Sequence, residues 1–423
     1  MAMVVSLLKA YLLFTIIIMV IYAIRHFIFT LNRLFCTQRL YYQDIIDSDL
    51  KSVSVLIPMH NEERVASYVL DQLLKVDYSP DKIEIIPIND HSTDGTKAIL
   101  DAYARQHPNI KPLHRDEGIR GKSAALNDAI DLASGEILVV FDADYLPPRA
   151  ILKNLTICFQ DPEVGAVMGR VVPVNAQHNL LTRLLDLERS GGYQVDQQAR
   201  YNMRLLPQYG GTVGGFRKDV VMKLGYFNPQ ILAEDTDLTY RCAINGWKVM
   251  YANRAECYEE VPEKWRVRAT QIRRWSRGHN GAMFRYWFAF LKSPYLTFRE
   301  KLDGFLLLII YVVPVILLLG IADSLLLFYW GEMEIFSGLY FLAFLGVYNT
   351  FGNFAPFYQV GTACLLDGAA ERILLIPLMI FNFCFNLWYI SRGFFDAVVD
   401  AITQRQAYWH KTERYRSEQE FVG

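Results

Sequence analysis

The sequence predicts an α/β protein: a parallel, Rossmann-like sheet held between membrane-spanning helices. Three observations predict it. Apolar, β-branched strands alternate with helical segments across residues 52–260. Acidic residues stand at the C-terminal ends of those strands. Long charge-free runs lie on both sides of the stretch.

The elements follow in order. Residues 10–24 carry no charge, and with the apolar residues before Lys9 they reach the roughly 20 residues a crossing needs. No small-residue cleavage site follows, which predicts an anchor. Arg25, Arg33 and Arg39 come after the run and only Lys9 before it. The positive-inside rule therefore puts the N-terminus outside and the rest in the cytosol. Strands are expected at 53–58, 83–88 and 136–144, and helices at 61–74, from Thr93, and at 126–133. This rhythm predicts a parallel sheet with ligands at its carboxyl edge.

Residues 264–301 hold ten basic residues against one acidic, Glu300, with aromatics interleaved. Beside a membrane, that pattern predicts an interfacial helix facing anionic lipid. Three charge-free runs follow, at 304–322, 335–366 and 373–391. Three crossings would leave the tail outside, yet Arg405, Lys411, Arg414 and Arg416 favour the cytosol. The conflict is met by a further crossing within 335–366, or by a last run that does not fully cross. The expected organisation is a membrane helix at 1–33, an α/β domain at 50–262, amphipathic interfacial helices at 263–301, a region of three to four membrane segments at 302–400, and a basic tail at 401–423.

Composition narrows the function classes. The chain has 423 residues, 52% of them hydrophobic, and 43 Lys plus Arg balance 44 Asp plus Glu. That near-neutrality excludes a strongly basic nucleic-acid binder, so no nucleic-acid partner is expected. Six cysteines at irregular spacing, without Cys-x-x-Cys, argue against a disulfide framework or a zinc site.

Five motifs carry chemistry. Asp142-Ala-Asp144 ends the third strand, and carboxylates at i, i+2 on a strand point the same way. Such a pair can hold a divalent cation against a diphosphate; the same pattern also fits a strand entering a polar turn. Asp90, ending the second strand, is placed to accept hydrogen bonds from a base or ribose, or to sit in a capping turn. Lys122 of Gly121-Lys122-Ser123 precedes a helix and can meet a phosphate there, although Asp116 stands where a phosphate loop needs its first Gly. Glu234-Asp235-Thr236-Asp237 crowds carboxylates so that one pKa rises, as a general base requires; an acidic first turn of a helix explains it equally. Gln271, Arg274 and Trp275 share a helix face, with Arg suited to a diphosphate and Trp to a sugar face.

Taken in this order, the motifs resemble the processive, membrane-integrated family 2 glycosyltransferases, the group of cellulose, hyaluronan and poly-N-acetylglucosamine synthases. The resemblance covers about residues 50–280. It implies a GT-A catalytic domain. Pro58, His60 and Glu62 would lie in the opening turn that receives the uracil, with Asp90 on the nucleotide. Lys122, Asp142, Gln271 and Arg274 would hold the diphosphate. Asp144, with Asp142, would ligate Mg2+ or Mn2+. Asp235, beside Glu234, would be the catalytic base, and Trp275, Gly211 and Thr212 would hold the acceptor. Asn89 replaces a first Asp often present there, Ala233 replaces the Thr before Glu-Asp, and residues 208–215 lack a frequent Cys. The implied activity is inverting synthesis and export of a β-linked polysaccharide from UDP-N-acetylglucosamine or UDP-glucose. It would take place in the inner or plasma membrane, in a multi-pass enzyme with a cytosolic catalytic domain and an accessory export subunit. The alternative is a non-processive transferase adding one sugar to a membrane lipid.

Overall fold

The computed structural model describes residues 2–39, 49–332 and 352–403. Seven strands form one sheet: β1 (Val53–Met59), β2 (Ile83–Asp90), β3 (Leu113–Arg115), β4 (Ile137–Val140), β5 (Val164–Pro173), β6 (Gly214–Arg217) and β7 (Lys248–Glu259). Their order is β3-β2-β1-β4-β6-β5-β7. Strands β1 to β4 pair in parallel, as expected, and so do β5 and β7. The sheet is nonetheless mixed, because β6 runs antiparallel to both β4 and β5. Four residues beginning Gly-Gly carry no readable strand pattern. The glycines serve close packing: a Cβ at Gly214 would lie 2.6 Å from the Val167 carbonyl oxygen. Both faces of β1 and β4 are covered, which is why they read as unbroken apolar runs.

The helices are α1 (Ala2–Phe35), α2 (Ala66–Leu73), α3 (Thr96–Gln106), α4 (Lys122–Leu132), α5 (Ile151–Thr156), α6 (Leu180–Ser190), α7 (Gln198–Asn202), α8 (Lys218–Lys223), α9 (Glu234–Ile244), α10 (Trp265–Lys292), α11 (Phe298–Leu308), α12 (Val313–Tyr329), α13 (Ala355–Leu366) and α14 (Met379–Thr403). A π-helical stretch, Gly191–Gln197, joins α6 to α7.

Several boundaries differ from the sequence expectation, each for a local reason. The first α/β helix starts at Ala66 because Asn61 sits at φ 54° in the left-handed region, held by Ser92 and Thr93. The next starts at Thr96, whose N–H donates to Asp94 at 3.0 Å. The strand expected at 136–144 ends at Val140, so Asp142 and Asp144 stand in the turn beyond it rather than along a strand face.

Among the described residues two helices are long and apolar enough to cross a membrane, α1 and the continuous stretch Ala370–Thr403. The pair α11 and α12, bent by 67°, makes a third if it counts as one span. Three to four segments after residue 302 are therefore not seen among the described residues. The further crossing expected within 335–366 falls largely on 333–351, and the basic tail on 404–423; both lie outside the described residues.

Helix α1 is about 50 Å long at 1.5 Å per residue, well beyond the ~30 Å hydrocarbon core. Its last third docks on the α/β domain. Arg25 Nε donates to Asp303 at 2.7 Å and Arg25 Nη2 to Asp196 at 3.2 Å. Arg33 binds Gln194, and Arg39 donates to the Tyr201 carbonyl at 2.9 Å. The three charges behind the topology expectation thus act as clamps between helix and domain. Close helix packing is set by Gly320, where a Cβ would lie 2.6 Å from Thr15.

The basic helix α10 is also tied to the protein: three of its arginines pair with carboxylates, Arg268 with Glu188, Arg273 with Asp396 and Arg277 with Asp400. Trp287 and Phe288, in the last two turns, remain about half exposed.

Candidate functional site

Strand ends bring the first group together. Strand β1 carries Pro58 near its end and the chain leaving it His60 and Glu62; β2 ends at Asp90; α4 begins at Lys122; the turn after β4 carries Asp142 and Asp144. The approach to β6 adds Gly211 and Thr212, α9 opens on Glu234 and Asp235, and α10 supplies Gln271, Arg274 and Trp275. All these residues line one cleft of about 800 Å³. The sheet edge, the acidic helix start and the membrane-proximal helix therefore share one space.

Lys122 is the hub. Its ammonium donates to Asp142 Oδ1 at 2.8 Å and to the Gly211 carbonyl at 2.7 Å, and lies 3.3 Å from Glu234. Burial opposes its charge, but Asp142, Glu234 and Asp235 outweigh burial and hold its pKa above the ordinary lysine value. Gly211 has φ +83°, a left-handed turn that suits glycine, and its Cα side faces Glu234 and Asp235. Thr212 Oγ1 accepts from the Asp142 N–H at 3.1 Å.

Glu234 and Asp235 begin a helix, so the acidic-turn explanation and the base explanation describe the same residues. Burial raises both pKa values, against the lowering effect of Lys122. The Thr236 N–H donates to Asp235 Oδ1 at 2.7 Å and orients it. Gly278 lets α10 approach: a Cβ there would meet the Ala233 nitrogen at 2.9 Å.

Asp90 is already engaged. It accepts from Arg115, from the Gly121 N–H at 2.8 Å and from the His91 ring at 2.7 Å. A nucleoside would share this carboxylate with protein donors. The His60 ring N–H donates to the Asp90 carbonyl at 2.7 Å. Trp275 lies between two guanidiniums, Arg189 at 5.1 Å and Arg268 at 5.3 Å from its ring centroid.

Sequence reasoning missed part of the lining. Tyr193 comes from the π-helix, a distortion often found at functional sites. Gln208 and Tyr311 come from a loop and from the α11–α12 break. His279 was detectable: it stands eight residues after Gln271 and four after Trp275, on the same helical stripe. Nothing in the local sequence marks Tyr193, Gln208 or Tyr311.

Among the described residues no cluster of three His, Cys, Asp or Glu side chains forms a complete metal cage. The donor set fits a hard divalent cation of the Mg2+ or Mn2+ type all the same. Two carboxylates plus diphosphate oxygens are how such ions are usually held in nucleotide sites.

Comparisons place this geometry among known proteins. The pattern described as glycosyltransferase like family 2 matches residues 51–278. A probable glycosyltransferase, YdaM, of Bacillus subtilis (strain 168) is 28% identical over 87% of this chain and 88% of its own length. A beta-monoglucosyldiacylglycerol synthase of Synechocystis is 30% identical over 69% of this chain, which spans about three fifths (60%) of that relative. Among solved structures, the mannosyltransferase PcManGT from Pyrobaculum calidifontis, in complex with GDP-Man and Mn2+, superposes with a TM-score of 0.59 at 22% identity, covering 90% of this chain and 99% of that one. The last similarity shows the GT-A fold.

Proposed function

Because the chain belongs to glycosyltransferase like family 2, we propose that it transfers one hexose from a UDP-sugar to a membrane lipid with inversion at the anomeric carbon. One observation carries the reading: a single cleft joins Lys122 and the acidic strand ends to Asp235 and to a helix packed on the membrane segments.

The chemistry follows from the side chains. Asp235, ionised, accepts the proton of the acceptor hydroxyl as its oxygen attacks the anomeric carbon from the face opposite the nucleotide. The anomeric C–O bond breaks and its electron pair leaves on UDP. Lys122 and Arg274 stabilise the diphosphate as charge builds on it. Asp142 and Asp144 would hold a divalent cation, which neutralises part of that charge. Gly211, Thr212 and Trp275 border the acceptor, and Pro58, His60 and Glu62 the base. Membrane association fits the two candidate spans; we place the enzyme in the cell membrane with this cleft on the cytosolic side.

Relatives named as lipid glucosyltransferases favour a single transfer over polymer synthesis. The Gln271–Arg274–Trp275 signature keeps polymer synthesis as the second reading, and an export subunit belongs only to that reading. The test incubates the full chain in lipid vesicles with labelled UDP-glucose or UDP-N-acetylglucosamine. The expected product extracts into organic solvent as a one-sugar glycolipid and is abolished by EDTA. Label in a high-molecular-weight, glycosidase-sensitive product would favour the polymer instead.

A further inference from the structure

We propose that the second long apolar stretch, Ala370–Thr403, does not cross the membrane. Its main part, α14, lies flat in the bilayer surface on the side of the catalytic domain. Together with α10 it forms the face on which that domain rests against lipid. The inference concerns how the protein sits on the membrane, and it holds whichever acceptor the transferase uses.

Helix α10 fixes the level. It is tied to the α/β domain along its whole length. Arg268 pairs with Glu188 of α6, Gly278 packs against Ala233, and Tyr286 donates to Asp237 of α9. Ser293 Oγ, just beyond the helix end, donates to the Ile244 carbonyl at 3.0 Å. Helix α14 runs beside α10 in the same direction. Ser276 Oγ donates to the Ile390 carbonyl at 2.7 Å, Arg273 Nη2 to Asp396 at 2.7 Å and Arg277 Nη2 to Asp400 at 2.6 Å. Gly393 permits the approach, since a Cβ there would strike the Arg273 carbonyl oxygen. The start of the stretch is held to the domain as well. Arg372 pairs with Asp186 at 2.8 Å, and Asn382 and Asn386 donate to Glu188 at 2.8 and 3.0 Å. A helix crossing ~30 Å of hydrocarbon must carry one end away from the domain. Here Asp400, near the end of α14, is bound within one turn of Trp275, which lines the cleft.

Helices α1 and α12 show the contrast. They run antiparallel, with Gly320 against Thr15 and Glu332 paired with Lys9 at 2.8 Å, so both leave the domain together. Helix α14 instead has two faces. Phe381, Trp388, Phe395, Val399 and Ile402 are exposed at the spacing of one helical stripe. Asn382, Asn386, Gly393, Asp396 and Asp400 turn the other way, to α6 and α10. Phe284 of α10 meets Phe394, and with exposed Trp287 and Phe288 it carries the apolar surface onward. Arg285, Lys292 and Arg392 are exposed next to these residues in the chain. They can meet headgroups while the aromatic stripe sinks about 5–10 Å toward the acyl chains. Lipid rather than a second copy covers the stripe, because α12 packs on α14 and continues the same surface into the bilayer. A flat α14 also ends on the catalytic side. The basic residues that follow it in sequence, Arg405, Lys411, Arg414 and Arg416, then obey the positive-inside rule.

The test uses the full chain in sealed lipid vesicles, with the exposed cysteines Cys36 and Cys384 changed to Ser. Spin labels are placed singly by Phe381→Cys, Trp388→Cys, Phe395→Cys and Ile402→Cys. Their collision rates with oxygen and with a water-soluble nickel chelate report depth. The expected result is four similar depths, about 5–10 Å below the headgroups. A crossing helix would spread the labels over about 30 Å, at 1.5 Å per residue, and a depth that runs from one leaflet to the other would overturn the proposal. Labels shielded from lipid and broadened by one another would assign the stripe to a second copy and overturn it as well. A second readout does not depend on those variants. Thr403→Cys should react with a membrane-impermeant maleimide on the same side of the vesicle as Lys223→Cys, an exposed position of the catalytic domain. Reaction on the opposite side would show that α14 crosses.

Discussion

The two ends of the cleft are built differently. The donor end hangs on the carboxyl edge of a sheet: Asp90, Lys122, Asp142 and Asp144 each lie within a few residues of a strand or helix terminus. Strand pairing positions them, and each comes with a local motif. The acceptor end is assembled from α6, the π-helix, α9, α10 and the α11–α12 break, which are far apart in sequence. Ion pairs between distant segments hold it, such as buried Arg268 with half-buried Glu188, to which Asn382 and Asn386 of α14 also donate. The lesson is that one end combines backbone topology with local ion pairs such as Arg115 with Asp90, while the other depends on ion pairs between distant segments, so they should fail differently.

The largest expected effect breaks chemistry at the junction. Asp235→Asn should lower kcat on the order of 10²–10⁴-fold while UDP binding persists, as measured by rate assay and calorimetry. The next breaks the acceptor end alone. Arg268→Ala leaves half-buried Glu188 without its guanidinium, though Asn382 and Asn386 still donate to it, and removes a cation stacked on Trp275. It should destabilise by about 1.5–3 kcal/mol, seen as a lowered Tm. Asp90→Asn, which breaks the buried pair with Arg115 at the other end, should weaken UDP binding as well as lower Tm, whereas Arg268→Ala should leave UDP binding unmoved, as calorimetry would show. A smaller effect sharpens the contact between the ends. Gly278→Ala forces a Cβ onto Ala233 and should cost about 1–3 kcal/mol from overpacking, with a lower kcat as the acidic turn shifts. The smallest is a displacement of the pH profile. Asp235 must be ionised to accept a proton and its pKa is raised by burial, so the acidic limb of kcat should lie above the ordinary aspartate range. Lys122 lowers that pKa, so Lys122→Gln should move the limb further toward alkaline pH. An unmoved limb would remove Asp235 from the base role.

Legibility followed the same division. The parallel β1–β4 core, the acidic strand ends and the Gln-Arg-Trp helix face were readable because period, turn chemistry and motif are local properties. The antiparallel β6 was not, since Gly-Gly strands show no hydrophobic alternation and are recognised only by what packs against them. The arginines of α1 and α10 were readable as charges, but their protein partners were not. A count of basic residues points equally to a membrane surface or to a carboxylate more than a hundred residues away, as with Arg277 and Asp400.

By itself, then, the sequence determined the α/β class, the flanking apolar helices and the charged residues that gather at the strand ends, since each follows from short-range periodicity or residue type. Tertiary structure alone decided that Tyr193, Gln208 and Tyr311 join His279 beside Asp235, and that Arg268, Arg273 and Arg277 pair with distant carboxylates. Charge neutralisation and burial depend on which distant segments meet, and no local pattern records that.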